Sequence, residues 1–355
     1  MSVHLADGHA IVTHIHLIRT HWTHWGSHSG INQFVKYLDP ARFSVREQLV
    51  PDGFRKFSRL NRWAQPLLRP TSMEWYKLND LWGELRAYPH LRSRKSHVLH
   101  YLDAEQTAFL LPQLIGARGA TKIVASYHQP PEVLARVVPD RVVRCLDRVI
   151  VVSPEQASYF EPLIGTERVR FIPHGIDTAF FRPSTSPRRP GPIRCLTVGF
   201  WLRDFKAIGE VARRLSDRPD IVFDIVAPET GGLPDRSNIT VHRSISDDQL
   251  RTLYREADIL FLPLLEATAN NALLEGMASG LPVVSTRLPA VEVYLGGAEA
   301  VLIDRSAPAV AYVDAICRLA SDPGTRERMA RLSRERAEQL DWRRIAGQYE
   351  DVYVD

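Results

Sequence analysis

The sequence predicts an α/β protein with two halves, each built on a parallel sheet. Short apolar runs alternate with amphipathic helical stretches along most of its 355 residues, as in parallel sheets joined by helical crossovers. Runs such as RVIVVS and DILFLP are apolar throughout, which is typical of strands covered on both faces. A chain of this length exceeds one typical hydrophobic core, which favours two domains.

The predicted strands are short and distributed over both halves. They are residues 10–18, 44–50, 97–102, 121–127, 148–152, 168–172, 193–198, 221–226, 258–262, 282–285 and 300–303. Helices are predicted after most of them, including residues 31–38, and the tail from Ser321 to Tyr353 has a strongly helical pattern. Asp341 is the predicted N-cap of the last helix.

A proline-rich stretch divides the chain. Residues 183–192, PSTSPRRPGP, contain four prolines in ten residues and are incompatible with the interior of a strand or helix. We therefore predict an N-terminal domain at 1–183, a linker at 184–192, a C-terminal domain at 193–339 and a last helix at 340–355.

The composition is that of an ordinary globular chain. Hydrophobic residues make up 45% and charged residues 24%, and no apolar run reaches the roughly 20 residues that span a bilayer. The N-terminus lacks the pattern of a cleaved signal peptide. Three scattered cysteines fit neither a disulfide framework nor a zinc cluster. We expect a cytoplasmic protein.

One segment is basic and aromatic. Between Arg42 and Lys95 the sequence has twelve Lys or Arg and five acids, with six Phe, Trp or Tyr residues interleaved from Phe54 to Trp82. The segment is either a solvated basic face or a patch that touches anionic lipid or an anionic acceptor. Nucleic acid is a weaker alternative, because no recognised binding motif accompanies the patch. We expect no nucleic-acid partner, and peripheral contact with the inner face of an anionic membrane stays one of the two interpretations of the patch.

Polar loops follow several predicted strands, where ligands of open parallel sheets collect. The stretch ANNALLEGMASGLPVV follows strand 258–262 and reads as a helix capped by Asn270 or Asn271. Free amides at its N-terminus favour a phosphate. Glu275, one turn in, is suited to accept hydrogen bonds from ribose hydroxyls; the alternative is an acid that complements the helix dipole.

The stretch VGFWLRDFK follows strand 193–198. It places Arg203 and Lys206 at the start of an amphipathic helix. Two fixed cations beside a helix N-terminus suit a diphosphate, whereas the alternative is a pair of solvated surface charges.

The stretch THWTHWGSHSG, residues 20–30, joins the first strand to the first helix. Its three histidines and two tryptophans raise three possibilities: a metal site, an aromatic core strand or the wall of a pocket. No cysteine or paired carboxylate supports the metal site.

Taken together, these motifs resemble family 4 glycosyltransferases. The resemblance rests on VRFIPHGIDTAFFRP, TVGFWLRDFK and NALLEGMASGLPVV, in that order and spacing. It implies the GT-B fold, in which two Rossmann-like domains face a central cleft and the last helix crosses back to the N-terminal domain. It also implies transfer of a sugar from a nucleotide-diphosphate sugar with retention of anomeric configuration and without a catalytic metal.

The resemblance assigns roles in the C-terminal half. Glu275 matches the second glutamate of the family's Glu-x7-Glu pair, but the first falls on Ala267, with Glu266 one place early and TANN in place of Gly-Phe-Gly. The catalytic residues it implies are His128, Arg203, Lys206 and Glu275. The donor-binding residues are Ser29, Gly30, His174, Gly199, Thr268, Asn270, Asn271, Ala272 and Leu273.

In the N-terminal half, His128 matches the family's histidine after a central strand, and Ser29-Gly30 matches its Gly-Gly step. The THWTHWGSHSG loop then forms the N-domain side of the cleft, with Trp22, His24, Trp25 and His28 on the acceptor side. No Asp-x-Asp motif occurs, and we expect no metal and no cofactor beyond the donor substrate.

The expected acceptor is a sugar, a lipid-linked molecule or a small molecule. Two alternatives stay open: a nucleotide-sugar 2-epimerase, and a non-catalytic sugar-binding partner of a glycosyltransferase, which Ala267 favours. A dehydrogenase is disfavoured, because no G-x-G-x-x-G follows an early strand.

Overall fold

Two parallel six-stranded sheets form the protein, each within its own half of the chain. The computed structural model describes residues 12–22, 26–52, 58–92, 97–115, 121–185 and 190–355. The strand order is β2-β1-β3-β4-β5-β6 in the first sheet and β12-β11-β10-β7-β8-β9 in the second. The strands are β1 Thr13–His21, β2 Phe43–Pro51, β3 Val98–Tyr101, β4 Lys122–Tyr127, β5 Arg148–Val151, β6 Val169–Phe171, β7 Ile193–Val198, β8 Ile221–Val226, β9 Ile239–His242, β10 Ile259–Leu262, β11 Val283–Thr286 and β12 Ala300–Ile303.

Helices connect the strands and cover both sheets. They are α1 Ser58–Leu68, α2 Leu78–Arg92, α3 Ala104–Thr107, α4 Leu110–Ile115, α5 Pro131–Val137, α6 Asp140–Val143, α7 Pro154–Ile164, α8 Phe205–Arg214, α9 Asp247–Glu256, α10 Asn271–Ala278, α11 Pro289–Tyr294, α12 Val310–Ser321, α13 Pro323–Gln339 and α14 Trp342–Val354. Three short 3-10 helices occupy Ile31–Tyr37, Arg69–Thr71 and Thr166–Arg168. Among the described helices, none combines the length and the apolar character needed to cross a bilayer.

The predicted α/β class with two parallel sheets is confirmed, and so are all eleven predicted strands, to within a few residues. Residues 10 and 11 of the first predicted strand lie outside the described residues. One strand was missed: β9, at the edge of the second sheet, has the sequence ITVH and is only partly buried. The helix predicted at 31–38 is a 3-10 helix over Ile31–Tyr37. The domain boundaries stay predictions, and residues 186–189 of the predicted linker lie outside the described residues.

The last helix, α14, packs against the first sheet rather than the second. Its buried side chains, Trp342, Ile345, Ala346, Tyr349, Val352 and Tyr353, join a core cluster with residues of β1 and the first 3-10 helix. The rings of Phe34 and Tyr349 stack with centroids 4.1 Å apart. The Tyr353 hydroxyl lies 2.7 Å from Nδ1 of His100. The predicted return of the C-terminus to the N-terminal domain is therefore confirmed.

Both sheets have a topological switch point, where chain order reverses. It lies between β1 and β3 in the first sheet and between β7 and β10 in the second. Crevices at the carboxyl ends of such strand pairs are the usual ligand sites of open α/β sheets. The loops that leave β1, β3, β7 and β10 are therefore the ones that matter for function.

Candidate active site

The N-terminus of α10 carries an arginine held in place by the helix cap. The side chain of Asn270 accepts a 3.2 Å hydrogen bond from the Leu273 amide, which is the predicted capping arrangement. The same oxygen accepts a hydrogen bond from Nη2 of Arg203, also at 3.2 Å. The guanidinium further donates to the Val198 and Trp201 carbonyls. A fixed cation therefore stands beside the free amides of α10, an arrangement suited to an anion.

A glycine makes room for this arginine. Gly199, directly after β7, has a φ of +92°, and a Cβ at this position would lie 2.7 Å from Nη2 of Arg203. Glycine adopts positive φ without the steric cost that other residues bear. Gly199 therefore shapes the loop and leaves space for the guanidinium, which is a different contribution from direct contact with the donor.

Glu275 is buried at the contact between the two domains. Its Oε1 accepts a 2.6 Å hydrogen bond from the Ser29 hydroxyl, and its Oε2 accepts one of 2.9 Å from the Tyr254 hydroxyl. Burial raises the pKa of Glu275 to about 7, although both hydrogen bonds and the nearby Arg203 favour the charged form. Both oxygens of the carboxylate therefore accept hydrogen bonds from hydroxyl groups of the protein.

His128 follows β4 and faces the second domain. Its Nε2–H donates a 2.6 Å hydrogen bond to the Leu102 carbonyl, and its own carbonyl accepts from the Thr268 hydroxyl. His174 lies close to His128, and burial lowers the pKa of His174 to about 3. The His174 ring is therefore buried and neutral. The His174 amide donates to the Tyr294 hydroxyl at 2.8 Å, which is a contact between the two domains.

Two acids that the sequence analysis did not single out lie beside His128. Asp103 and Glu105 follow β3, and both are buried. Burial raises the pKa of Asp103 and raises that of Glu105 to about 7, while His128 favours both charged forms. The Thr20 amide donates to Asp103 at 2.8 Å, and the His128 amide donates to Glu105. The search for polar residues after strands would have found both, since they follow a predicted strand.

The loop before the first 3-10 helix reaches the second half of the chain. The Ser27 amide donates to Asp247 at 2.7 Å. The His28 ring lies 2.8 Å from Asp177 through Nδ1 and stacks on Phe180 at a centroid distance of 3.6 Å. The His28 ring therefore joins this loop to Asp177 and Phe180, and its acceptor-side role stays a prediction.

The other predicted residues of this loop have different positions. Trp22 is half-buried and hydrogen-bonds to Asp103 through its side chain. Gly30 is buried and has a φ of +95°, which explains a glycine at this turn. His24 and Trp25 lie outside the described residues, so their acceptor-side roles stay predictions.

Lys206 lies three residues after Arg203. It is exposed on the first turn of α8, whose N-cap is Asp204. Ala267, where the family has its first glutamate, is buried in the apolar core of the second domain. The Glu266 carboxylate, one place early, pairs with Arg305 at 2.6 Å on the surface.

The arrangement has the groups needed to hold a diphosphate and a polyhydroxylated ligand between two domains. One side offers a helix N-terminus, a fixed guanidinium and a buried carboxylate; the other offers a histidine and a serine hydroxyl. Preorganised donors of this kind stabilise negative charge that develops on a leaving group.

The fold is GT-B, and solved structures with this architecture cover almost the whole chain. Sucrose-phosphate synthase from Thermosynechococcus elongatus superimposes with a TM-score of 0.73 at 16% identity, covering 96% of this chain and 98% of that one. Anabaena HepE in complex with UDP-glucose gives a TM-score of 0.65 at 11% identity, covering 96% of this chain and 99% of that one.

Sequence comparisons give the family. Residues 49–180 match the model described as Glycosyltransferase Family 4, and residues 204–322 match the one described as Glycosyl transferases group 1. D-inositol 3-phosphate glycosyltransferase of Corynebacterium diphtheriae is 24% identical over 253 residues, which cover 62% of this chain and 58% of that protein. The aligned part thus spans little more than half of such curated relatives. The chain belongs to glycosyltransferase family 4, as its motifs predicted.

Proposed function

We propose that the protein is a retaining glycosyltransferase that moves a sugar from a nucleotide-diphosphate sugar to an acceptor hydroxyl without a metal ion. The observation that carries this proposal is the hydrogen bond from Ser29 to Glu275 across the domains. It is made by a hydroxyl, the group that a ribose would present, and it lies one turn from an anion-binding helix N-terminus. The crystal structure of HepE with UDP-glucose supports a donor of this class for the fold.

In this proposal the diphosphate binds at the start of α10, at residues 270–273. The amides of Asn271 and Ala272 and the guanidinium of Arg203 stabilise the charge that grows on the leaving group, whereas the Leu273 amide is already bound by the Asn270 cap. Lys206, the second residue of α8, is the other cation that we assign to the diphosphate, because it lies three residues after Arg203 and its side chain is exposed. The loss of one such donor reduces the rate by on the order of 10²–10³ in well-studied enzymes.

The N-terminal domain supplies the acceptor side. His128 orients the donor sugar, and Thr268 holds the backbone of His128 against the second domain. With alanine at position 267, the sugar hydroxyl that the family's first glutamate would hold has no carboxylate partner there. Contact between the two domains excludes water and limits hydrolysis of the donor. The acceptor is a sugar, a lipid-linked molecule or a small molecule.

The test is a panel of nucleotide sugars, screened for hydrolysis and for transfer in the presence of a chelator. One donor should be turned over, at a rate that the chelator leaves unchanged, and NMR of the product should show the donor's anomeric configuration. Turnover of no donor, or turnover only after a metal is restored, would overturn the proposal. Incubation without acceptor separates transfer from 2-epimerisation.

Glu275→Ala tests the ribose assignment on the donor that the panel identifies. The loss of hydrogen bonds to a charged group should weaken donor affinity on the order of ten- to a hundredfold. Glu335→Ala is the matched control, because that glutamate is exposed on α13. Equal donor affinity in the two variants would remove the assignment.

A further inference from the structure

The exposed surface of two neighbouring helices in the N-terminal domain combines large apolar side chains with positive charge. α1 packs against α2. The side chains of Trp63 and Leu67 on α1 are 77% and 72% exposed, and Trp82 on α2 is 62% exposed. These are among the largest apolar exposures in the described residues, and they occur within 20 positions of the chain.

The exposed apolar residues form a stripe on each helix. On α1 they are Leu60, Trp63 and Leu67, at spacings of three and four residues; on α2, Trp82 and Leu85 follow the same spacing. Side chains at these spacings share one face of a helix. The opposite face of α2, with Glu84, Ala87 and Leu91, is buried against the domain. Neither stripe therefore contributes to the packing of the domain core.

Two of the three acids of this segment are buried, and the third is paired. Glu84 is fully buried and accepts 2.6 Å hydrogen bonds from the hydroxyls of Tyr76 and Tyr101. Asp80 is buried and accepts from the Lys77 amide. Glu74, the third acid between residues 58 and 92, pairs with Arg136 at 3.2 Å.

The cations, in contrast, are presented to solvent. Arg62, Arg69 and Arg86 are exposed, and none of them pairs with an acid among the described residues. The sequence alone showed a segment with both signs of charge and an excess of bases. Because Asp80 and Glu84 are buried and Glu74 is paired with Arg136, the unpaired charges on the described part of this surface are arginines among exposed Trp and Leu.

We infer that this surface of α1 and α2 docks on an anionic lipid bilayer. Tryptophan is enriched at membrane interfaces, leucine inserts its side chain among acyl chains, and arginine binds lipid phosphates. Nucleic acid would match the arginines but leave the exposed leucines without a partner. The inference is independent of the proposed reaction, since it concerns helices outside the candidate active site.

The test is co-sedimentation of the full chain with vesicles of phosphatidylcholine alone and of equal parts phosphatidylcholine and phosphatidylglycerol. The protein should bind the anionic vesicles and be released by high salt. The triple variant W63A/L67A/W82A should lose at least tenfold in vesicle affinity, because apolar area no longer enters the bilayer. R62Q/R69Q/R86Q should lose about fivefold per arginine.

Two controls keep the test specific. Leu114→Ala changes a residue that is 58% exposed on α4, and Arg331→Gln changes an exposed arginine on α13; both should bind vesicles like the unmodified chain. Donor hydrolysis should be unchanged in every variant, so that a failure of docking and a failure of the proposed reaction give different results.

Absence of binding to the anionic vesicles would overturn the inference, as would equal binding to the neutral ones. Light scattering and an RNA-binding assay run in parallel. A dimer that W63A/L67A/W82A converts to monomers, without vesicle binding, would show that a second copy covers this face. RNA binding without vesicle binding would assign the arginines to a nucleic acid.

Discussion

The hydroxyl of Ser29 donates a 2.6 Å hydrogen bond to Oε1 of Glu275, 246 residues further along the chain. Tyr254 donates to the other oxygen of the same carboxylate. Glu275 is therefore held by one hydroxyl from each domain. Its burial disfavours the charged form of the carboxyl group. Its environment leads to two predictions about pH.

Glu275→Gln should flatten the pH dependence of stability. Burial raises the pKa of Glu275 from 4.5 to about 7, so within that window the folded protein keeps a proton that the unfolded chain has lost. The free energy of unfolding must therefore decrease as pH rises through the window, by up to about 3 kcal/mol from this group. Glutamine removes the titration. Chemical denaturation at about pH 5 and about pH 7.5 should show a smaller decrease in the variant than in Glu335→Gln. A decrease of the same size in both would contradict the prediction.

Ser29→Ala should shift this dependence towards higher pH. The Ser29 hydrogen bond favours the charged form of Glu275, so its loss raises the pKa of the carboxyl further. The same denaturation series, repeated at intervals across the neutral range, locates the decrease. Since Ser29 is half-buried and small, the variant should fold normally; a decrease at lower pH than in the unmodified chain would show that the bond does not act on Glu275.

Gly199→Ala should weaken binding of the donor nucleotide by about tenfold, close to the effect of Arg203→Gln. The backbone at position 199 has a positive φ, which alanine disfavours. The added methyl group would also contact the guanidinium of Arg203. Isothermal titration calorimetry measures the affinity. Gly191→Ala is the matched control, because nothing lies within 4 Å of a Cβ at that position. Full affinity in Gly199→Ala would show that the position of Arg203 is not important for binding.

Phe34→Ala should destabilise the N-terminal domain by about 3–5 kcal/mol. The ring is fully buried and stacks on Tyr349 of α14, so the substitution leaves a cavity at the contact between the first 3-10 helix and the C-terminal helix. Phe171→Ala, at a site that is 39% exposed, should change stability far less. Thermal unfolding of the two variants measures the loss of stability. An equal loss in both would show that the position of α14 does not depend on the contact between Phe34 and Tyr349.

Strands were predictable because their pattern is local. A run such as ILFL in β10 is apolar at every position since both faces of the sheet are covered. The edge strand β9 lacks this property, so its four residues gave no comparable pattern. Capping was predictable for the same local reason: the Asn270 and Asp341 side chains bond to amides two or three residues away.

By itself, the sequence determined the alternation of elements, the start of α10 with Asn270 and Glu275, and the family to which these motifs belong. Only the tertiary structure decided which groups meet: Ser29 with Glu275, Arg203 with Asn270, and Asp103 and Glu105 with His128. It also decided that Glu84 is hidden while Trp63 is exposed. The physical reason is the distance along the chain over which each interaction acts. Periodicity and capping are set by neighbouring residues, whereas burial and hydrogen bonds between distant residues exist only after the sheets have packed.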